Sequence, residues 1–218
     1  HKGDNNMKFT KESLRLYAVT DRQWLKNKSL PEAVEEAIKG GVTFVQLREK
    51  NTDYEDMKKI AIEVKAVTDR YNIPFVINDN VMLCKEIDAD GVHVGADDMS
   101  VSEARKILGN DKIIGGTART LERAIQAYNE GADYLGIGAV FTTTTKEGTT
   151  HMTKDLANKI NSAVPIPTVA IGGINSENVS SLKGYGVSGI AVVSAIFAQE
   201  NITDACIKLK NLSESTFS

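Results

Sequence analysis

Phe75-Val-Ile-Asn-Asp-Asn-Val-Met-Leu-Cys-Lys-Glu-Ile-Asp-Ala-Asp-Gly-Val-His-Val94 carries the plan of the whole chain. It opens on a short apolar, β-rich run, Phe75-Val-Ile-Asn78, and passes through a brief helical segment from Val81 to Glu86. It returns through Asp88-Ala-Asp-Gly91 to a second run, Gly91-Val-His-Val94. Continuous apolar runs of this length suit strands covered on both faces, as in a parallel sheet.

Outward from this unit the same scheme recurs. Before it stand Leu16-Tyr-Ala-Val-Thr20 and Phe44-Val-Gln-Leu47; after it come Ile113-Ile-Gly-Gly-Thr117, Tyr134-Leu-Gly-Ile-Gly138, Thr168-Val-Ala-Ile171 and Gly189-Ile-Ala-Val-Val193. Helical patterns fill the gaps. Leu30 to Ile38 follows Ser29 as N-cap and stops at Gly40-Gly41, and Tyr54 to Tyr71 sets Met57, Ile60, Ala61, Val64 and Val67 on one stripe. Ser100 to Leu108, Thr120 to Asn129, Met152 to Ile160, Ser176 to Leu182 and Thr203 to Leu212 repeat the pattern. The links Gly40-Gly41-Val, Gly131-Ala-Asp133 and Gly186-Val-Ser-Gly189, like Asp88 to Gly91, place a glycine to close a helix before the next strand. Strand and helix alternate about every 25 residues without a break, which predicts one α/β domain of βα repeats. Eight units favour a closed (β/α)8 TIM barrel over a doubly wound open sheet. The expected bounds are an N-terminal tail over 1–13, a barrel over 14–213 and a C-terminal tail over 214–218.

Composition fits that frame. The chain has 218 residues, 41% hydrophobic and 25% charged, which excludes disordered, collagen-like and disulfide-scaffold classes. A barrel needs about 200 residues, so this one is near minimal length. Its 29 acidic and 26 basic side chains give a net charge of −3, against the basic excess of a general nucleic-acid binder. Cys84 and Cys206 lack CxxC spacing and read as two small buried hydrophobes. Gly186 to Ala198, the most apolar stretch, is too short and glycine-broken to span a membrane. HKGDNNMKF at the start has no apolar signal core, which reads as a cytoplasmic protein.

In such a barrel the active site lies where the strands end. Asp79 and Asp98 follow neighbouring strands, so their carboxylates can approach one another. A divalent cation would relieve the repulsion, and Mg²⁺ takes one or two carboxylates together with water and phosphate oxygens. The plainer alternative is that each aspartate caps the helix after it. Arg48 and Lys50 add positive charge after strand two, with a surface ion pair to Glu49 or Asp53 as their alternative. Thr142-Thr-Thr-Thr-Thr145-Lys146 joins hydroxyls to a cation in a form that wraps an anion, or is a solvated loop. Ile171-Gly172-Gly173-Ile174 and Val192-Val193-Ser194 sit where barrels commonly bind phosphate, although glycine also serves tight turns. His93 reads as a hydrogen-bonded core histidine rather than a general base. His151 and Trp24 read as loop residues. One metal, two anion subsites and no nucleophile–base pair fit joint handling of a diphosphate and a monophosphate.

These rim motifs resemble those of the thiamine-phosphate synthase family. Gln46-Leu-Arg-Glu-Lys50, Ile77-Asn-Asp79, Gly91-Val-His-Val-Gly95-x-x-Asp98, Thr143-x-Thr145-Lys146, Ala170-Ile-Gly-Gly-Ile174 and Val193-Ser194 occur in the family's order, from about Leu16 to Leu212. The resemblance implies condensation of hydroxymethylpyrimidine diphosphate with hydroxyethylthiazole phosphate to thiamine phosphate and pyrophosphate. It implies Mg²⁺ on Asp79 and Asp98, with Gln46, Arg48, Lys50, Asn78, Thr117 and Lys146 on the pyrimidine diphosphate. It places Thr143, Thr144, Thr145, Gly173, Val193 and Ser194 on the thiazole phosphate, and makes Lys146, Arg48, Lys50 and Thr117 the catalytic set. Its partners would be phosphorylated small molecules, with no nucleic acid and no membrane. Thr117 replaces the family's usual serine, Ala96 a glutamine, and Thr142 and Thr144 two prolines; substrate affinity is more exposed to these changes than reaction type. A related thiazole tautomerase, a phosphosugar isomerase or Schiff-base aldolase, and a phosphate sensor are the competing readings. The aspartate pair and Lys146 favour the synthase.

Overall fold

A computed structural model describes residues 9–141 and 151–218. Eight parallel strands close on themselves in sequence order: β1 (Leu16–Val19), β2 (Phe44–Leu47), β3 (Phe75–Asn78), β4 (Gly91–Val94), β5 (Ile113–Ala118), β6 (Tyr134–Ile137), β7 (Thr168–Ala170) and β8 (Gly189–Val192). β8 pairs back with β1 through Leu16↔Ile190 and Ala18↔Val192. The expected barrel is therefore the observed one, and no sheet edge remains open.

The helices are α1 (Leu30–Lys39), α2 (Tyr54–Arg70), α3 (Val81–Ile87), α4 (Val101–Leu108), α5 (Leu121–Glu130), α6 (Lys154–Ala163), α7 (Ser194–Phe197) and α8 (Ile202–Phe217). α1 shows why they form where they do. The Ser29 hydroxyl accepts from Glu32 N, Pro31 occupies the first turn, and Leu30, Ala33, Val34, Ala37 and Ile38 make one buried stripe. Two expectations change in detail. The stretch from Ser176 to Leu182 forms only a 3₁₀ turn over Val179–Leu182, because Asn175 and Asn178 hold their neighbours in side-chain turns instead. After α3 the left-handed residue is Asp88 (φ 56°), not a glycine; an aspartate tolerates that conformation.

The ends of the chain also differ from the expected tails. A 3₁₀ turn over Lys11–Leu14 and the ring of Phe9, 5.8 Å from Tyr134, close the bottom of the barrel. α8 runs on to Phe217, and the Ser213 hydroxyl donates to Arg15 O. Residues 9–13 and 214–217 thus belong to the packed body.

Apolar packing lies in two places. A large layer between strands and helices takes the outward face of each strand, as with Val45, Ile77 and Leu135. Both cysteines are buried in it, and burial pushes each thiol up to about 12. A small cluster fills the barrel itself: Leu14, Tyr17, Phe44, Val76, Tyr134 and Val169. Three large aromatics, Tyr17, Phe44 and Tyr134, pack there against one another. A Cβ on Gly115 would stand 2.0 Å from Tyr134 Cζ, so the glycine is what admits the tyrosine ring.

Candidate active site

The strand ends gather most of the residues singled out from sequence at one mouth. Gln46 projects into the barrel from β2 and is 5% exposed; Arg48 and Lys50 follow at the exposed rim. Asn78 ends β3, Thr117 lies near the end of β5, Gly173 follows β7, and Val193 and Ser194 follow β8. Thr142, Thr143, Thr144, Thr145 and Lys146 lie outside the described residues.

The aspartates are free of helix capping. Asn80 caps α3 by accepting from Leu83 N at 3.0 Å, and Ser100 caps α4 by accepting from Glu103 N. Asp79 instead sits between strand and cap in the left-handed region, φ 67°, its N–H donating to His93 O. Asp98 folds back so that its Oδ2 accepts from Gly95 N at 2.7 Å. A Cβ at position 95 would lie 2.8 Å from that oxygen, so a side chain there would push the Asp98 carboxylate aside. Partial burial, and then the facing Asp98 carboxylate, raise the Asp79 carboxyl above its ordinary value. Neither has a cationic partner among the described residues, which contain no cluster of three or more His, Cys, Asp or Glu able to hold a metal.

The rim cations are equally unspent. Glu49, the expected partner of Arg48 or Lys50, is clamped by both arms of Arg22, each at 2.8 Å. Asp53 caps α2 by accepting from Asp56 N. Arg48 and Lys50 are left without an acidic partner among the described residues, while Thr20 accepts from Arg48 N and fixes its backbone. A cleft of about 480 Å³ opens there, lined by Thr20, Asp21, Arg22, Arg48, Glu49 and Lys50.

Across the barrel the mouth is made of backbone. Gly172 and Gly173 both have positive φ, 103° and 64°, and added Cβ atoms would strike Ala139 and the Phe141 carbonyl. The turn is required sterically, and it also leaves main chain bare at the mouth. α7 begins at Ser194, whose side chain is exposed.

His93 is 8% exposed, with both ring nitrogens engaged, Nδ1 to Tyr134 Oη and Nε2 to Thr117 Oγ1, each at 2.9 Å. Burial holds it down at about 4, the Asp98 charge opposing weakly, so at neutral pH the ring is uncharged. It is the packed core histidine expected. Arg22, Tyr17 and Tyr134 were not singled out from sequence. Arg22 lies in a polar loop, and the tyrosines look like ordinary apolar-strand residues. The available signal was a tyrosine on an inward position facing Gly115.

Comparison with known proteins adds an independent line. A family model described as thiamine monophosphate synthase matches residues 16–196. A thiamine-phosphate synthase of Ruminiclostridium cellulolyticum is 50% identical over 194 residues, covering 89% of this chain and 92% of the relative. That of Clostridium tetani is 47% identical over 194 residues, covering 89% and 93%. A solved thiamine phosphate pyrophosphorylase from Pyrococcus furiosus superposes with a TM-score of 0.87 at 37% identity, covering 95% of this chain and 99% of that one.

Proposed function

The chain belongs to the thiamine monophosphate synthase family, and from that membership we propose that its mouth joins hydroxymethylpyrimidine diphosphate to hydroxyethylthiazole phosphate. The observation that carries the site assignment is the pair Asp79 and Asp98, relieved of capping by Asn80 and Ser100. Two facing carboxylates without a cation, beside rim cations without anions, suit an Mg²⁺-bound diphosphate.

Asp79 and Asp98 would hold Mg²⁺, which supplies charge neutralisation for the departing pyrophosphate when bound. Arg48 and Lys50 bind the diphosphate oxygens, Arg48 as a fork and Lys50 as a point charge. Lys146, which lies outside the described residues, would add a third cation. Gln46, Asn78 and Thr117 orient the pyrimidine. Gly173, Val193 and Ser194, with Thr143, Thr144 and Thr145, would hold the thiazole phosphate. The bond from the pyrimidine methylene to the diphosphate oxygen breaks, and the oxygen keeps the electron pair. The amino group of the pyrimidine supports the methylene cation, and the thiazole nitrogen lone pair forms the new C–N bond. No proton is transferred and no protein nucleophile is needed; positioning and charge stabilisation carry the rate.

No helix among the described residues is long and apolar enough to cross a membrane, in keeping with small, phosphorylated substrates. Incubation with both substrates and Mg²⁺ should yield thiamine phosphate and pyrophosphate in equal amounts, read by mass spectrometry. Absence of thiamine phosphate with both substrates and Mg²⁺ present would overturn the reading.

A further inference from the structure

Between Arg48 and Lys50, the two rim cations proposed to bind the diphosphate, the chain carries a carboxylate, Glu49. Its side chain is 6% exposed, whereas Arg48 and Lys50 stand exposed at the rim. A carboxylate taken out of water needs a cation, and the nearest in sequence lie one residue to either side. Paired with either of them, Glu49 would cancel charge that the rim otherwise presents.

Arg22 occupies Glu49 instead. The pairing of β1 with β2 continues past the strand ends, Thr20 N donating to Gln46 O and Arg48 N to Thr20 Oγ1. The residues after β1 are thereby held beside those after β2. Asp21 accepts from Gln23 N and starts a 3₁₀ turn over Arg22–Trp24, which fixes the backbone of Arg22. From there Nε donates to one Glu49 oxygen and Nη2 to the other, each at 2.8 Å. One planar fork thus takes both oxygens, a geometry that a lysine ammonium does not reproduce. The guanidinium is itself 45% exposed and lines the same cleft as Arg48 and Lys50. Asp21, which also lines the cleft, accepts from Gln23 Nε2 with its second oxygen.

We propose that Arg22 is a positioning residue that sequesters Glu49, so that Arg48 and Lys50 meet the diphosphate with their full charge. This rests on the function proposed above. The effect acts on the bound diphosphate and on the departing pyrophosphate alike, so it belongs to KM and to pyrophosphate affinity more than to kcat. A clamp that merely tied two loops together would behave otherwise. Loss of either partner would then do equal harm, and loss of both would be no improvement on loss of Arg22.

Calorimetry of inorganic pyrophosphate binding to the full chain, with Mg²⁺ present, separates the two without turnover. Arg22→Met should weaken binding about tenfold, because Glu49 then pairs with Arg48 or Lys50. Glu49→Gln should stay within about twofold of the wild type, and Arg22→Met/Glu49→Gln should return to that level, the competing charge being gone. Equal losses in all three variants, or a double variant no better than Arg22→Met, would overturn the proposal. In turnover, Arg22→Met should raise the KM for pyrimidine diphosphate about tenfold, with kcat and the KM for thiazole phosphate within about twofold. A fall in kcat at unchanged KM would overturn it as well. Should Arg22→Met not fold, Arg22→Lys keeps the charge without the fork and should lose about fivefold, again recovered by Glu49→Gln. A wild type that binds pyrophosphate yet makes no thiamine phosphate would sink the proposed reaction and leave the clamp to be judged by binding. Normal turnover with unchanged pyrophosphate affinity in Arg22→Met would sink the clamp and leave the reaction standing.

Discussion

The two sides of the mouth are built from different materials. From β2 to β5 the surface is side chains held by one another: Arg22 clamps Glu49, Gly95 N–H holds Asp98, and His93 ties Tyr134 to Thr117. From β7 to β8 it is a double-glycine turn and the start of a four-residue helix. The difference suits the two anions proposed to meet there. A departing diphosphate gains charge during reaction and calls for fixed cations and carboxylates aimed at it. A phosphate that only anchors its molecule can be held by main-chain N–H groups and hydroxyls.

The largest effect expected from breaking this contrast lies on the side-chain half. Asp98→Asn keeps the shape and an oxygen able to accept from Gly95 N, but removes the charge. Turnover should fall by about a thousandfold or more, near 4 kcal/mol of transition-state stabilisation, with thermal stability retained. Near-wild-type turnover that still required the metal would remove Asp98 from the metal site.

Next in size is an acid dependence of stability. His93 is held at about 4, against an ordinary value of 6.5, because its burial opposes charging. The folded pKa is depressed, so between pH 6.5 and 4 the unfolded chain takes a proton that the folded chain refuses. Stability is full above 6.5 and declines as pH falls toward 4, by about 3 kcal/mol in all. Urea unfolding of the wild type and His93→Gln across that window should differ in slope by this amount. Parallel curves would mean that the ring charges in place, which the side-chain half as described does not allow.

On the other half the backbone is the target. Gly173→Ala puts a Cβ 2.9 Å from the Phe141 carbonyl at a φ of 64°. It should cost about 1–2 kcal/mol of stability and raise the KM for thiazole phosphate before that for pyrimidine diphosphate. The reverse order would place the turn on the wrong substrate.

The contrast also explains what could be read from sequence. Charges at strand ends, as in Arg48, Asp79 and Asp98, are visible because a buried strand otherwise carries none. That Asn80 and Ser100 would do the capping, and so release the aspartates, depends on a difference of one residue at Asp79 and two at Asp98 in where the helix begins. Tyr17 and Tyr134 stayed hidden because their rings satisfy the apolar pattern, and only the closed barrel brings their hydroxyls to 2.6 Å across a separation of 117 residues. The shortfall at Ser176 to Leu182 has the same origin. Local asparagine turns outcompeted a helical pattern too short to nucleate.

Ser194→Ala should give the smallest and most discriminating effect. The hydroxyl is exposed, and its loss leaves the Gln199 contact to Ser194 O in place. Fold and stability therefore have little reason to change. One hydrogen bond from a hydroxyl to a phosphate is worth about 1–1.5 kcal/mol, so the KM for thiazole phosphate should rise about tenfold. The KM for pyrimidine diphosphate should stay within about twofold, because Arg48 and Lys50, proposed to hold its anion, lie across the mouth. Equal losses for both substrates would show that the two halves share one anion site, and the division of the mouth into a side-chain half and a backbone half would fall with it.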